Sequence, residues 1–322
     1  MTTDELYPKF QKKYKRAIVT GGAGFIGSHI CEELLQRDFP VISIDHYSGQ
    51  KSRNLSYLKK FPHFQSVICD ITDYRRLSRY IKNADIIFHN AASKRAESLI
   101  NPRRDLEVNG IGTFNLLALA IKNKIKKFVY ASTGSVYGEP IGRQNENHPT
   151  NPVSFYGASK LAGEKYVQVF QKLHGLDTTI LRYYYVYGPR QDSGQSGVVA
   201  IFINNLVQNK RPVIYGTGNQ EYSFTYVKDV VKANLLIAIK NATRGEIYNC
   251  TSGIRVTIND LCRTVLKTFG RENIKPIYKG KIIDDIEQNK VDNSKIKKLG
   301  MNFETNFFEK LSETIRWRLN DH

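Results

Sequence analysis

The heptapeptide SFYGASK at residues 154–160 sets Tyr156 four positions ahead of Lys160. On a helix, that spacing puts a phenol and an ammonium on one face, one turn apart. Such a pair is a candidate for moving a proton. It also arises by chance in many helices, so its meaning depends on the rest of the chain.

A second stretch carries chemistry of its own. VTGGAGFIGSH at 19–29 follows a strand-like run and opens a helix-like one, the context that makes a glycine pattern informative. Gly21, Gly24 and Gly27 recur at every third position, with Phe25 and Ile26 between the last two, and Gly22-x-Gly24-x-x-Gly27 fits the older fingerprint as well. Small residues there permit a tight turn and let backbone amides reach a pyrophosphate at a helix N-terminus. Asp45 ends the next strand, 18 residues after Gly27. A carboxylate at that point accepts from ribose hydroxyls and repels a 2′-phosphate, so the expected cofactor is NAD rather than NADP, with Lys51 and Arg53 nearby acting against that preference. Asp70, followed by Ile71, closes a third strand and is placed to meet an adenine edge. The alternative for Asp70 is a cap on a helix starting near 72.

The elements that must position these residues follow a regular order. RAIVT (16–20), PVISID (40–45), SVICD (66–70), DIIFHNAA (85–92), KFVYAS (127–132) and TTILRYY (178–184) read as buried parallel strands. Segments 24–37, 103–124 and 156–174 between them carry helical spacing of apolar residues, and Asn101-Pro102 opens the second of these as a helix start should. This alternation predicts an α/β fold, a doubly wound parallel sheet of the NAD-binding Rossmann type. We expect that domain over residues 1–182, with a smaller, interwoven substrate domain over 183–322. The strands near 226 and at 246–250 are expected to return to the first domain. Amphipathic runs at 198–209, 228–240, 257–269 and 307–319 read as helices, and PVIYG (212–216) as a strand. Any ligand should sit at the carboxyl ends of the strands.

Composition narrows the function classes. There are 48 lysines and arginines against 30 acids, a formal charge of +18, yet the basic residues are scattered in small clusters and form no stripe interleaved with aromatics. Neither a nucleic-acid partner nor a membrane is expected, since no apolar run is long enough to span a bilayer. The first sixteen residues, MTTDELYPKFQKKYKR, lack the apolar centre of a signal peptide and read as a polar lead-in to the first strand. Cys31, Cys69, Cys250 and Cys262 are too far apart for a metal pattern, and buried free thiols in a reducing cytoplasm are expected.

Taken with YASTGSVYG (130–138), YGASK (156–160) and LRYYYVYGPRQ (181–191), the motifs resemble those of the extended short-chain dehydrogenase/reductase family, in particular its nucleotide-sugar epimerases and dehydratases. The resemblance implies oxidation of a sugar hydroxyl by hydride transfer to nicotinamide while a base takes the hydroxyl proton. Tyr156 matches the base. A free phenol, with a pKa near 10, is a poor base at neutral pH, so Lys160 and the positive nicotinamide are expected to favour the phenolate. Thr133 matches the residue that hydrogen-bonds the reacting oxygen, with Ser132 before it beside the cofactor. Asn109 matches an asparagine supporting the catalytic region, Lys94 a lysine touching nicotinamide or substrate, and Tyr183 a tyrosine lining the nicotinamide pocket. The backbone at Ala91 and Ala92 should run along the cofactor.

Family dehydratases usually carry an Asp-Glu pair directly after the threonine, whereas Gly134 and Ser135 stand here. The resemblance therefore implies a nucleotide-sugar 4-epimerase acting through a 4-keto intermediate, with a 4,6-dehydratase or another epimerase as the alternative. A non-catalytic NAD-sensing or nucleic-acid-binding protein on the same fold is the reading from a different class. On the substrate side, Tyr222 and Glu287 replace arginines that grip the nucleotide diphosphate, and Tyr185 replaces an asparagine. Arg190, Lys210, Arg211 or Lys290 could compensate. A homodimer is also implied, with the helices at 103–124 and 156–174 packing on their symmetry mates.

Overall fold

Most of the strand-forming runs are short and apolar because they cross a sheet covered on both faces, where alternation is not required. The computed structural model describes residues 2–46, 52–139, 142–191, 197–280 and 290–320. In chain order the strands are β1 (Ala17–Thr20), β2 (Val41–Asp45), β3 (Phe64–Ile68), β4 (Ile86–His89), β5 (Lys127–Thr133) and β6 (Thr178–Tyr183). They continue as β7 (Val186–Tyr187), β8 (Val213–Tyr215), β9 (Glu221–Ser223), β10 (Thr225–Tyr226), β11 (Glu246–Cys250), β12 (Arg255–Thr257) and β13 (Ile277–Lys279). A seven-stranded sheet in the order β11-β6-β5-β4-β1-β2-β3 forms the centre of the molecule, every pairing parallel. The order reverses between β1 and β4, which opens a crevice at their carboxyl ends.

Alternate residues of each strand feed opposite cores. Ala17 and Val19 join the helices Thr3–Lys13, Phe25–Leu35 and Val227–Ile239, whereas Ile18 joins Thr113–Lys122 and Phe155–His174. A further apolar cluster gathers Phe202, Leu206, Leu261, Val265, Leu311 and Ile315 from the C-terminal helices. The stretch at 246–250 enters the main sheet as its edge strand beside β6. The residues near 226 do not: β10 pairs with β7 in a separate two-stranded sheet.

The structure corrects the reading of the N-terminus. Thr3–Lys13 is a helix, with a capping box in which Thr2 and Glu5 satisfy each other's backbone amides. Leu6, Phe10 and Tyr14 are completely buried, and the Tyr14 hydroxyl donates to the Ala238 carbonyl at 2.6 Å. Their spacing of four was legible, as was Thr2-x-x-Glu5, but the lysines and Pro8 obscured both.

Other boundaries moved for local reasons. β3 ends at Ile68, two residues before the expected end, because it is an edge strand with one face in solvent. β4 stops at His89. The helix expected over 103–124 is interrupted: Pro102–Leu106 leads into a π-helical turn, Glu107–Gly112, before Thr113–Lys122 resumes α geometry. Gly110 and Gly112 favour the break, and a Cβ at Gly112 would lie 2.5 Å from Ile71. Cys31, Cys69, Cys250 and Cys262 are free and buried, as expected. Among the described residues no helix is long and apolar enough to cross a membrane, and no acid, histidine or cysteine group could hold a metal.

Candidate active site

The crevice between β1 and β4 is a cleft of about 360 Å³ lined by Gly21, Gly24, Phe25, Ile26, Gly27, Asp45, Asp70, Ile71, Ala91, Ala92, Lys94, Ser132, Tyr156, Lys160 and Tyr183. Residues drawn from seven separate sequence stretches thus share one wall. The glycine loop is shaped by contact. Gly21 takes φ +66°, and a Cβ on it would meet the Ala91 amide nitrogen at 2.7 Å, while one on Gly27 would meet the Gly21 carbonyl oxygen at 2.2 Å. Gly24 caps the helix Phe25–Leu35 without a side-chain acceptor, so its first amides remain available to an anion. Asp45 accepts the Ala23 N–H at 3.1 Å, which ties the end of β2 to this turn. Asn90 Oδ1 also lines the cleft, buried and with no hydrogen-bond partner among the described residues. An uncapped helix start, a cradle that any Cβ would fill and an unpaired acceptor together fit a dinucleotide.

Asp70 is not the helix cap; Asp73 is, accepting Arg76 N–H at 3.0 Å. Asp70 instead accepts from Thr72 N at 2.9 Å and Thr72 Oγ1 at 2.8 Å, and it pairs with Arg104. Burial opposes its charge, but these donors hold the carboxyl below its usual range. Arg104, His46 and Ser93 also line the cleft. No sequence signal marked Arg104, because its partner lies 34 residues away.

Tyr156 and Lys160 project from the helix Phe155–His174, started by Ser154, whose hydroxyl accepts Gly157 N–H at 3.1 Å. The Tyr156 phenol hydrogen-bonds the Thr133 side chain, and Thr133 Oγ1 accepts the Ser135 N–H at 3.2 Å. Lys160 Nζ sits 4.1 Å from the centre of the Tyr130 ring. Burial pushes the Tyr156 phenol up to about 12, Asp105 adds to the rise, and Thr133 opposes it. Burial also draws the Lys160 ammonium down to about 7, against Glu164 and Asp105. The help expected from Lys160 is not among the influences on Tyr156 in the protein alone. Tyr156 as a whole residue is half-buried.

Two residues behind the pair went unnoticed in the sequence. Glu164 stands one further turn along the Tyr156–Lys160 face and is almost wholly buried. It accepts from Arg182 Nε at 2.9 Å, Arg182 Nη2 at 2.7 Å and Ser132 Oγ at 2.5 Å. The repeat of four from 156 to 164 was the available signal. Asn109 lies behind the cleft: its Oδ1 accepts Ser93 N–H at 3.0 Å, and its Nδ2 donates to Asp105 Oδ1 and Ser159 Oγ, each at 2.9 Å. Lys94 caps the helix Arg95–Ile100, and Tyr183 Oη accepts Asn234 Nδ2 at 2.8 Å.

The substrate-side residues are less united. Arg190 faces away from the cleft, paired with Glu32 and Tyr57 and 2.5 Å from His29 Nδ1. Tyr222 and Tyr185 pack against each other with ring centres 4.4 Å apart, Tyr185 at φ +36°. Lys210 donates to Gln208, and Arg211 to the Lys275 and Pro276 carbonyls. Lys290 borders a separate hollow of about 250 Å³ with Arg143 and Arg255. Glu287 lies outside the described residues.

The model of the NAD dependent epimerase/dehydratase family matches this chain from residue 17 to residue 251. The chain belongs to that family. It is 34% identical to the UDP-glucose 4-epimerase of Thermotoga maritima, solved with UDP-glucose, over 95% of this chain and 99% of that one, at a TM-score of 0.89. The Thermus thermophilus UDP-glucose 4-epimerase in complex with NAD is 32% identical over 94% and 99% of the two chains, with a TM-score of 0.85. A dTDP-D-glucose 4,6-dehydratase from Bos taurus is 31% identical over 94% of this chain and 88% of its own length. The NAD dependent epimerase/dehydratase family thus accounts for the Rossmann-type sheet and for the dinucleotide cleft, and its cofactor is NAD.

Proposed function

We propose that the protein is a nucleotide-sugar 4-epimerase. The observation that carries this reading is the distribution of acids around the cleft. Among the described lining residues the only carboxylates are Asp45 and Asp70, at or beyond the ends of β2 and β3, away from the strand and helix that bear Thr133 and Tyr156. Gly134 and Ser135 form a 3₁₀ turn immediately after Thr133 and bring no acid or base. Elimination of water needs such a pair; epimerisation does not.

NAD, when bound, supplies a reversible hydride acceptor and a positive charge. Tyr156 takes the proton from the sugar C4 hydroxyl, and Thr133 holds that oxygen through its own hydroxyl. Lys160 provides the cation that stabilises the phenolate, and Glu164, held by Arg182, keeps Lys160 charged within a buried site. The ketone then presents its opposite face, and Tyr156 returns the proton as the alcohol is restored. Incubation with UDP-, GDP-, CDP- and dTDP-sugars tests this directly. Mass and NMR spectra should reveal an isomer of unchanged mass, inverted at C4; a product lighter by one water would make the enzyme a dehydratase.

Self-association through the catalytic helix belongs to the same proposal. Ile111, Phe114, Tyr166, Val169 and Leu173 are large apolar residues left exposed on Glu107–Gly112, Thr113–Lys122 and Phe155–His174. Phe114 and Tyr166 meet edge to face at 5.4 Å, so the helices present one continuous apolar surface, suited to a second copy of itself. Sedimentation at micromolar concentration should give a dimer, and Phe114→Glu should give a monomer. A wild-type monomer would refute this part.

A further inference from the structure

His89 is completely buried at the end of β4, and the chemistry above gives it no task. Its ring nitrogens nevertheless have partners whose own bonds settle where the proton lies. Thr113 Oγ1 stands 2.6 Å from the Asn109 carbonyl, which can only accept, so the threonine's single proton goes there. At 2.9 Å from His89 Nε2, the same oxygen must therefore accept, and Nε2 carries hydrogen. Tyr130, whose hydroxyl also touches Thr113, gives its own proton to the Lys160 carbonyl at 3.2 Å and does not disturb this direction. On the other side, Thr20 Oγ1 accepts the Ala91 N–H at 3.3 Å and donates to His89 Nδ1 at 2.7 Å.

The bonds form one directed chain: Ala91 amide, Thr20, His89, Thr113, Asn109 carbonyl. The Asn109 side chain extends it to the Ser93 amide and to Ser159, whose hydroxyl donates to the Tyr156 carbonyl at 3.1 Å. Ala91 and Ser93 line the NAD cleft, and Asn109 sits in the π-helical turn. Phe128 and Tyr130 close around the imidazole, with ring centres 5.8 and 5.5 Å away. We propose that His89 is a positioning residue, fixed as the neutral Nε2–H tautomer, which couples the Ala91–Ser93 segment of the NAD cleft to the helix bearing Tyr156. Burial, with Lys160 nearby, holds the imidazole well below its usual range, in keeping with a ring that never charges. The proposal rests on the NAD cleft and not on which sugar reaction follows.

The test uses the full chain with ¹⁵N-labelled histidine, saturated with NAD⁺. Long-range ¹⁵N–¹H correlation, with His89→Gln assigning one signal among the 7 histidines, should show Nε2–H and a ring that does not titrate over the range where histidine ordinarily does. An Nδ1–H or charged ring overturns the assignment. Thr113→Val removes the acceptor at Nε2 and should move the hydrogen to Nδ1, where Thr20 can accept it. Thr20→Val keeps the side-chain shape but strips the acceptor from Ala91, and NAD⁺ affinity should fall about tenfold. A lowered unfolding midpoint with NAD⁺ affinity within about twofold of wild type in both valine variants would leave His89 a packing residue and overturn the coupling.

Discussion

Replacing Tyr156 with Phe is expected to cut turnover by a factor of about 10²–10⁴ while leaving the fold in place. The ring stays in the helix Phe155–His174, and the hydroxyl's one assigned partner is Thr133, so the loss to stability should stay near about 1 kcal/mol. NAD content should be unchanged. The measurement is conversion of whichever sugar nucleotide the panel identifies, run beside a denaturation curve. Activity within about tenfold of wild type would remove Tyr156 as the base.

Lys160→Met should lower activity by a comparable factor and, at neutral pH, make the protein more stable. Burial places the Lys160 ammonium near 7 in the folded chain, against 10.5 for the free side chain. Below about pH 7 both states hold the proton, and the folded state bears the whole cost of a buried charge. Between about 7 and 10.5 the unfolded chain binds more protons, so wild-type stability rises with pH. The methionine variant has no such term. Its advantage should be greatest below neutrality, at most a few kcal/mol, and should fade toward alkaline pH. Loss of the cation–π contact with Tyr130 works against the gain where Lys160 is charged, below about pH 7. Urea midpoints for both proteins across that range decide the matter: a gap that does not change with pH contradicts the assigned burial cost.

Much of this site was readable in advance because its demands are local. A pyrophosphate turn needs glycines at fixed offsets, and Gly21, Gly24 and Gly27 lie where β1 meets its helix. Strands covered on both faces, such as β1 and β2, are continuous apolar runs and were placed within a residue. What stayed hidden depends on partners distant in the chain. Glu164 and Arg182 are 18 residues apart, and Asp70 and Arg104 are 34 apart. Nothing in either neighbourhood announces the other. The aromatic pair of Tyr185 and Tyr222 is likewise visible only once β9 is folded against the loop after β6. The N-terminal helix failed for a different reason: its lysines conceal a narrow buried stripe of Leu6, Phe10 and Tyr14.

β11 comes from deep in the second half of the chain, yet it hydrogen-bonds β6 at the margin of the nucleotide-binding sheet. A ribosome must therefore deliver Cys250 before that sheet has its last strand, and until then β6 offers an unpaired rim to any passing chain. The helix Thr3–Lys13 waits too, since the Ala238 carbonyl that receives Tyr14 arrives more than two hundred residues later. Assembly of the coenzyme half is thus a late event in synthesis, and fragments ending before β11 are expected to need chaperone shelter.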